Sequence, residues 1–198
     1  MRSKTPVWLW VAASCWMILT ISGLGVVWAY ENRPGAGAHA PQRWPTQTAL
    51  VAAIDRPTLI LLAHPQCTCT RATLEELREV LARAPQHPKT YVLFLRPTAF
   101  DAGWAETELW RLAAALPDAT VLRDDDGAEA RHFGVATSGQ TVVYDAAGAL
   151  AFSGGITGSR GHVGANAGEA SLVALLTSER PERRETNVFG CPLFASSH

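Results

Sequence analysis

The sequence predicts an α/β domain, a mixed sheet flanked by helices, behind one N-terminal membrane-spanning helix. Residues 7–30 form an uncharged apolar run, and short branched runs alternate with helical segments from 58 to 123. Two strand-like segments then flank a Gly-containing turn at 146–148, the pattern of a hairpin. A length of 198 residues suits one domain with an appendage, and 47% hydrophobic residues exclude a disordered chain. A formal net charge of −1 argues against nucleic-acid binding.

The N-terminal apolar run has the length of a membrane helix. Crossing the hydrocarbon core takes about 20 apolar residues, and Trp8 and Trp28 lie near the two ends, where interfacial aromatics occur. Arg2 and Lys4 precede the run, so the positive-inside tendency keeps the N-terminus cytoplasmic. A cleaved signal peptide is the alternative. Both interpretations place the domain on the exported, periplasmic or extracytoplasmic side.

Composition divides the chain into four segments. Residues 1–30 are the anchor or signal segment, and residues 31–45, rich in Pro and Gly, are a flexible linker. The domain follows over 46–180. Residues 181–198 form a tail that carries Cys191 and that we expect to be mobile.

The first elements of the domain follow from hydrophobic periodicity. Residues 58–64 are a short branched apolar run between prolines, typical of a buried strand. Residues 70–84 place Leu74, Leu77 and Leu81 at helical spacing, with charges on the other face. A strand at 90–96 and a helix at 105–116 come next.

The second half of the domain is predicted to close the sheet. A strand at 119–123 leads to a short helical piece at 129–133, then to the hairpin of QTVVYD and ALAFSGG. A glycine-rich loop, 154–168, precedes a last helix at 169–177. The early alternation predicts parallel strands, and the hairpin adds antiparallel strands at one side.

The segment HPQCTC, residues 64–69, lies where the first predicted strand meets the first predicted helix. A thiol there faces unpaired backbone N–H groups and the positive end of the helix macrodipole. We therefore expect Cys67 to be an exposed, attacking thiolate with a pKa below the ordinary value of about 8.5. His64 is positioned to move protons.

The other cysteines supply partners. Residues two apart on a helix point to nearly opposite sides, so Cys67 pairs with Cys69 only if Cys67 lies in the preceding turn. Cys191, in the tail, can instead resolve a disulfide with either residue or clamp the tail structurally. Cys15 lies in the apolar run and is interpreted as a lipid-facing hydrophobic residue.

The cysteine-containing turn between strand and helix, with the later TVVYDAAGAL hairpin, resembles the thioredoxin-like fold. Membrane-tethered exported members of that group are the TlpA/ResA-type thiol–disulfide oxidoreductases. The HPxCxC turn, the GGITGSRGH segment and the FGCP tail also resemble thioredoxin-like proteins labelled RedB. The resemblance covers roughly residues 45–180. It implies thiol–disulfide exchange with exported protein thiols or disulfides, or with a redox partner protein, and no cofactor.

Two features depart from the thioredoxin pattern. Thioredoxins separate their cysteines by two residues, whereas only Thr68 lies between Cys67 and Cys69. The family also places a cis-proline just before the hairpin, and Gly139 occupies that position here.

Copper binding is the alternative function. His64, Cys67 and Cys69 offer one imidazole and two thiolates, a soft ligand set suited to Cu(I). SCO copper carriers, which the chain resembles in this respect, use two cysteines and a distant histidine. His162, beside Arg160 in the glycine-rich loop, is the candidate for that ligand.

Overall fold

In the computed structural model, which describes residues 6–36 and 39–194, the chain divides at Arg33 into a helical N-terminal unit and an α/β unit. The N-terminal unit contains helix α1, Val7–Glu31, of 25 residues and mean hydropathy 1.8. At 1.5 Å per residue its length is roughly 37 Å, enough for a hydrocarbon core of about 30 Å. The predicted N-terminal helix is therefore present, and its length and composition suit a membrane span.

The α/β unit contains five strands and four α-helices within the described residues. Their bounds, in chain order, are β1 Thr58–Ala63, α2 Thr68–Arg83, β2 Lys89–Arg96, α3 Glu108–Ala114, β3 Ala119–Asp125, α4 Ala128–His132, β4 Gln140–Tyr144, β5 Leu150–Gly155 and α5 Ala167–Leu176.

The strands form one mixed sheet in the order β3-β2-β1-β4-β5. β1 is parallel to β2, and β2 is parallel to β3. β4 runs antiparallel to β1, and β5 runs antiparallel to β4. The fold class is thus the predicted one: a thioredoxin-like mixed sheet with parallel strands first and an antiparallel hairpin at one side.

Both faces of the sheet are covered, which explains why β1 is buried along its whole length. Leu59 and Leu61 face a core shared with α2, α3 and α5. Ile60 and Leu62 face a second core that includes Phe133 beyond α4. This alternation is the period-two pattern of a strand buried on both sides. Because β1 is held from both faces, the turn that follows it is fixed in position.

The four helices of the α/β unit begin one to three residues from their predicted starts, and the shifts of α2 and α3 bear on the cysteine turn. α2 begins at Thr68, two residues earlier than the apolar periodicity indicated, so the CxC motif enters its first turn. α3 begins at Glu108, after a 3₁₀ turn at Ala102–Trp104. The Thr107 hydroxyl donates to the carbonyl of Pro65 at 3.0 Å, which ties the start of α3 to the cysteine turn.

Part of the predicted linker packs on the domain. Trp44 makes edge-to-face contacts with Phe133 and Tyr144, at centroid distances of 5.2 and 5.3 Å. Its backbone N–H donates to Gly148 at 2.8 Å, and the Tyr144 hydroxyl donates to the carbonyl of Pro41 at 3.0 Å. Residues 41–44 are therefore fixed beside the β4–β5 hairpin.

Residues 184–194 of the expected mobile tail lie against the sheet and the loop before β4. We call residues 184–194 the C-terminal strap. The strap follows β5, where Ser153 N–H donates to Arg184 at 2.9 Å and the Thr186 hydroxyl donates to Gly155 at 2.7 Å. A Cβ at Gly155 would lie 2.5 Å from the carbonyl oxygen of Asn187, so only glycine admits the strap there. This close backbone approach leaves no periodic signal in the sequence.

Candidate thiol site

Cys67 occupies the N-cap position of α2, directly after the turn that leaves β1. Its backbone is extended, with φ −95° and ψ 120°, and its N–H donates to the carbonyl of His64 at 3.2 Å. Cys69 lies inside the first turn of α2. Cys67 is thus outside the helix and Cys69 inside it, the arrangement that the spacing argument required for any contact between them.

The strap brings a third cysteine to this turn. Leu193 N–H donates to the carbonyl of Ala136 at 2.9 Å, and Ser138 N–H donates to the carbonyl of Cys191 at 2.8 Å. These bonds pair the strap antiparallel to residues 136–138, the loop that enters β4. As a result the Cys191 sulfur lies 2.8 Å from the Cys67 sulfur.

All four cysteines are free thiols in this structure. The Cys67–Cys191 contact is a thiol hydrogen bond, longer than the disulfide bond length of about 2.05 Å. Cys15 lies apart in α1 and is exposed there. The predicted site residues Cys67, Cys69 and Cys191 are therefore brought together in one cluster.

Hydrogen bonds to its sulfur make Cys67 acidic. The hydrogen bond from the thiol of Cys69 lowers the pKa of Cys67 most, whereas burial raises it. Hydrogen bonds from the thiol and backbone of Cys191 and from the backbone of Thr70 lower it further. Together they lower the pKa of Cys67 to about 4, because each donor favours the thiolate over the thiol. The expected acidity is present, but its largest cause is the neighbouring thiol rather than the helix terminus.

The pKa values of the two neighbouring thiols, Cys69 and Cys191, shift in the opposite direction. Burial, together with the thiol and charge of Cys67, raises the pKa of Cys191 to about 11. The hydrogen bond to Cys67 and burial raise the pKa of Cys69. The positive charge of Arg160 lowers the pKa of both residues in part. The reduced cluster therefore holds one thiolate, on Cys67, and two thiols that donate to it.

Arg160 also fixes the strap. Its guanidinium donates to the carbonyl of Gly190, the residue before Cys191. The glycine-rich loop thus contacts the strap through Arg160, and the charge of Arg160 acts on Cys69 and Cys191. Arg71 is exposed at the surface, where it pairs with Glu108 at 2.8 Å.

The accessibility of Cys67 differs from the expectation. Cys67 is 2% exposed and Cys69 is 7% exposed, whereas Cys191 is partly exposed. Cys67 was expected to be an exposed attacking thiolate; that expectation is wrong, because the strap lies against its sulfur. A cleft of about 250 Å³ on another side is lined in part by Cys67, with Pro65, Arg71 and Thr107.

His64 lies beside the cluster, half-buried. Its Nδ1 accepts the backbone N–H of Gln66 at 3.2 Å, so the neutral ring carries its proton on Nε2. Burial lowers the pKa of His64, and the Cys67 thiolate partly opposes that shift. His64 is therefore neutral at neutral pH, and its ring contacts Trp104 edge-on.

His162, the candidate distant copper ligand, lies at the surface of the glycine-rich loop. It is exposed, and its Nδ1 lies 3.0 Å from the carbonyl oxygen of Arg160. Over residues 6–36 and 39–194, no group of three or more His, Cys, Asp or Glu side chains is arranged to hold a metal ion. The Cu(I) ligand set of His64, Cys67, Cys69 and His162 stays a prediction.

Two hydroxyl residues of the site were not identified from the sequence. Ser138 accepts the backbone N–H of His64 at 2.8 Å, and its hydroxyl lies 2.9 Å from that of Thr70. Thr70 in turn donates to the carbonyl of His64 at 3.1 Å. These bonds connect the cysteine turn to the loop before β4. Only the position of Ser138 could have indicated its role, because Ser138 directly precedes Gly139, which occupies the place of the thioredoxin proline.

No protein-family profile and no curated protein sequence matches the chain. Solved structures do match it. An uncharacterised conserved protein from Geobacillus kaustophilus superposes with a TM-score of 0.59 and 16% identity, covering 83% of this chain and 100% of that chain. A hypothetical protein from Sinorhizobium meliloti gives a TM-score of 0.57 and 14% identity, covering 81% and 98%.

A third similar structure is a secreted disulfide oxidoreductase of Mycobacterium tuberculosis, described as homologous to E. coli DsbE. Its TM-score is 0.36 and its identity 22%, over 48% of this chain and 66% of that chain. The first two structures, with TM-scores above 0.5, show a shared fold, and the function is left to the chemistry of the site.

Proposed function

We propose that this protein carries out thiol–disulfide exchange, with Cys67 as the low-pKa thiolate and Cys191 as the thiol that pairs with it. The observation that supports this most is the 2.8 Å distance between their sulfur atoms. A thiolate beside a second thiol is the arrangement from which a disulfide forms. The hydrogen bonds that hold this pair of cysteines come from three separate parts of the chain: the strap, the loop before β4 and the start of α2.

The reaction is a two-electron exchange. A partner disulfide accepts two electrons and two protons and becomes a dithiol. Cys67 and Cys191 form a disulfide and supply both electrons and the proton of Cys191, and solvent supplies the second proton, because Cys67 is already a thiolate. The reverse reaction oxidises a partner dithiol. Cys69 donates a hydrogen bond to the Cys67 thiolate, and it is the second thiol able to resolve a mixed disulfide. His64 lies beside the cysteine cluster with a neutral ring, and it is the group that exchanges protons with the cluster.

The setting of the reaction follows from helix α1. We propose that α1 anchors the chain in a membrane and that the domain acts on the exported side. Thiols there are oxidised unless a redox system maintains them, so exported protein thiols or a redox partner protein are the substrates. Arg2 and Lys4, ahead of the apolar run, support this orientation.

The proposal is tested by the single-turnover reduction of a fluorogenic glutathione disulfide by an excess of the full, reduced chain in detergent micelles. Cys67→Ser is expected to abolish the reaction, because serine supplies no thiolate. Cys15→Ser is the matched control and is expected to retain the wild-type rate. A wild-type rate equal to that of Cys67→Ser would exclude the proposed function.

A further inference from the structure

The sulfur atoms of the cluster differ in solvent exposure, and this difference affects which of them a substrate contacts first. Cys67 is 2% exposed, while Cys191 is partly exposed on the strap that lies against it. An external thiol that approaches from the strap side reaches Cys191 first. The inference drawn from this difference rests on the proposed function and specifies its direction.

The position of Cys191 is fixed on both sides. Before it, the guanidinium of Arg160 donates to the carbonyl of Gly190. After it, Leu193 is buried in the second core at 6% exposure. The backbone of Cys191 itself pairs with Ser138 at 2.8 Å. Cys191 is therefore presented by an ordered segment, and no large movement is needed for it to meet a substrate.

The chemistry of the two sulfurs also differs. Attack on one sulfur of a disulfide expels the other, and a sulfur with the lower pKa leaves faster. Attack on Cys191 expels Cys67, which has hydrogen-bond donors in the thiol of Cys69 and the backbone of Thr70. Attack on Cys67 expels Cys191, whose thiolate is the less stable of the two.

We propose that Cys191 is the substrate-facing sulfur and that the oxidised protein, with a Cys67–Cys191 disulfide, donates that disulfide to accessible thiols. The external thiolate forms a bond to the Cys191 sulfur, the Cys67–Cys191 bond breaks, and its electron pair stays on Cys67. A second external thiolate then attacks the substrate sulfur of this mixed disulfide. It forms the substrate disulfide and releases Cys191, which takes a proton from solvent.

The electron balance of the exchange defines the chemical class of the substrate and of the oxidant. Two substrate thiolates lose two electrons and become one disulfide, and the protein disulfide gains them. The substrates are solvent-accessible thiols, on small molecules or extended peptide segments, because Cys191 lies at the surface of the strap. A partner that carries a disulfide regenerates the Cys67–Cys191 bond by the same exchange.

A competing route starts from the cleft of about 250 Å³ that Cys67 lines with Pro65, Arg71 and Thr107. A thiol entering there would attack Cys67, form its mixed disulfide on that residue and free Cys191. The two routes leave the adduct on different cysteines, so they are distinguishable by mass.

The experiment uses the full chain in detergent, in a Cys15→Ala background. The protein is oxidised with glutathione disulfide, freed of it, and mixed briefly with reduced glutathione. Acid stops the reaction, N-ethylmaleimide labels the free thiols, and peptide mass spectrometry locates the adducts. We expect a Cys67–Cys191 disulfide at the start, and then glutathione on Cys191 about tenfold more often than on Cys67.

Each other outcome has a defined meaning. Glutathione mainly on Cys67 or Cys69, or an initial Cys67–Cys69 disulfide, overturns the assignment of Cys191 while leaving thiol–disulfide exchange intact. Oxidised protein that does not react with glutathione, together with reduced protein inactive in the turnover assay, overturns the proposed function itself. A Cys69→Ser variant that still yields the Cys191 adduct supports the assignment, because it removes the other resolving thiol.

Discussion

The sulfur of Cys67 lies 2.8 Å from the sulfur of Cys191, although the two residues are 124 positions apart in the chain. One comes from the start of α2, the other from the strap that pairs with the loop before β4. The oxidation state of this pair is therefore linked to the seating of the strap. Changes that displace the strap are expected to alter the chemistry of Cys67 without touching its own helix.

The acidity of Cys67 is expected to depend on its thiol donors in a definite order. Cys69→Ala removes the largest contribution and should raise the pKa of Cys67 most. Cys191→Ala removes a thiol but keeps the backbone donor, so its increase should be smaller. The pH dependence of iodoacetamide alkylation of Cys67 in each reduced variant measures both. Cys15→Ala serves as the control, and an unchanged midpoint in both variants would contradict this explanation.

The strap is expected to depend on glycine at position 190. A Cβ there would lie 1.8 Å from the carbonyl oxygen of Ser138, a distance that backbone atoms cannot accommodate. Gly190→Ala should therefore displace Cys191 and slow formation of the Cys67–Cys191 disulfide by about tenfold or more, as measured by alkylation and mass during oxidation.

Gly158→Ala is the matched control for that variant. Its Cβ would meet only the Cβ of Asn166, at 3.6 Å, an ordinary contact. Disulfide formation in Gly158→Ala should equal that of the wild type. Equal rates in Gly190→Ala and wild type would show that the strap does not position Cys191.

Arg160 is expected to act as a positioning residue through its charge and its bond to Gly190. Arg160→Gln should raise the pKa of Cys191, because the charge that stabilises its thiolate is lost. Each pKa unit lowers the thiolate fraction about tenfold at a fixed pH below the pKa. Alkylation of Cys191 across alkaline pH measures this effect. Arg160→Lys should restore the profile, and a profile unmoved in Arg160→Gln would refute the role.

Ser138 is expected to stabilise the cysteine turn. Ser138→Ala leaves the part-buried N–H of His64 and the buried hydroxyl of Thr70 without this partner, at a cost of about 1–3 kcal/mol in the free energy of unfolding. Urea unfolding of the reduced protein measures the change. Thr46→Ala, at an exposed position, should leave the midpoint in place. A loss below about 0.5 kcal/mol in Ser138→Ala would contradict the role.

The sequence was sufficient for the centre of the sheet because β1, β2 and β4 are short apolar runs buried along nearly their whole length. The run 58–64 and the hairpin around 146–148 predicted the observed β1, β4 and β5 closely. The start of α2 was missed by two residues, because Thr68 and Cys69 continue the helix without adding to its apolar stripe.

The site was predictable in its residues and not in its geometry. Cys67, Cys69 and Cys191 were identified by type and position, but no periodicity places the strap against residues 136–138. That contact depends on backbone pairing and on glycines such as Gly155, which admit close approach. For the same reason the burial of Cys67 was missed, since the segment that covers it is 124 positions away.

The most direct test is the pH titration of Cys67 in the reduced full chain. A thiolate with a pKa of about 4 remains ionised at every higher pH, so the iodoacetamide reaction of Cys67 should keep one rate from mildly acidic to mildly alkaline solution. The rate should fall only as the pH drops through about 4, where the thiolate takes up a proton. A rate that instead rises with a midpoint near 8.5, the value of an ordinary cysteine, would contradict the central claim.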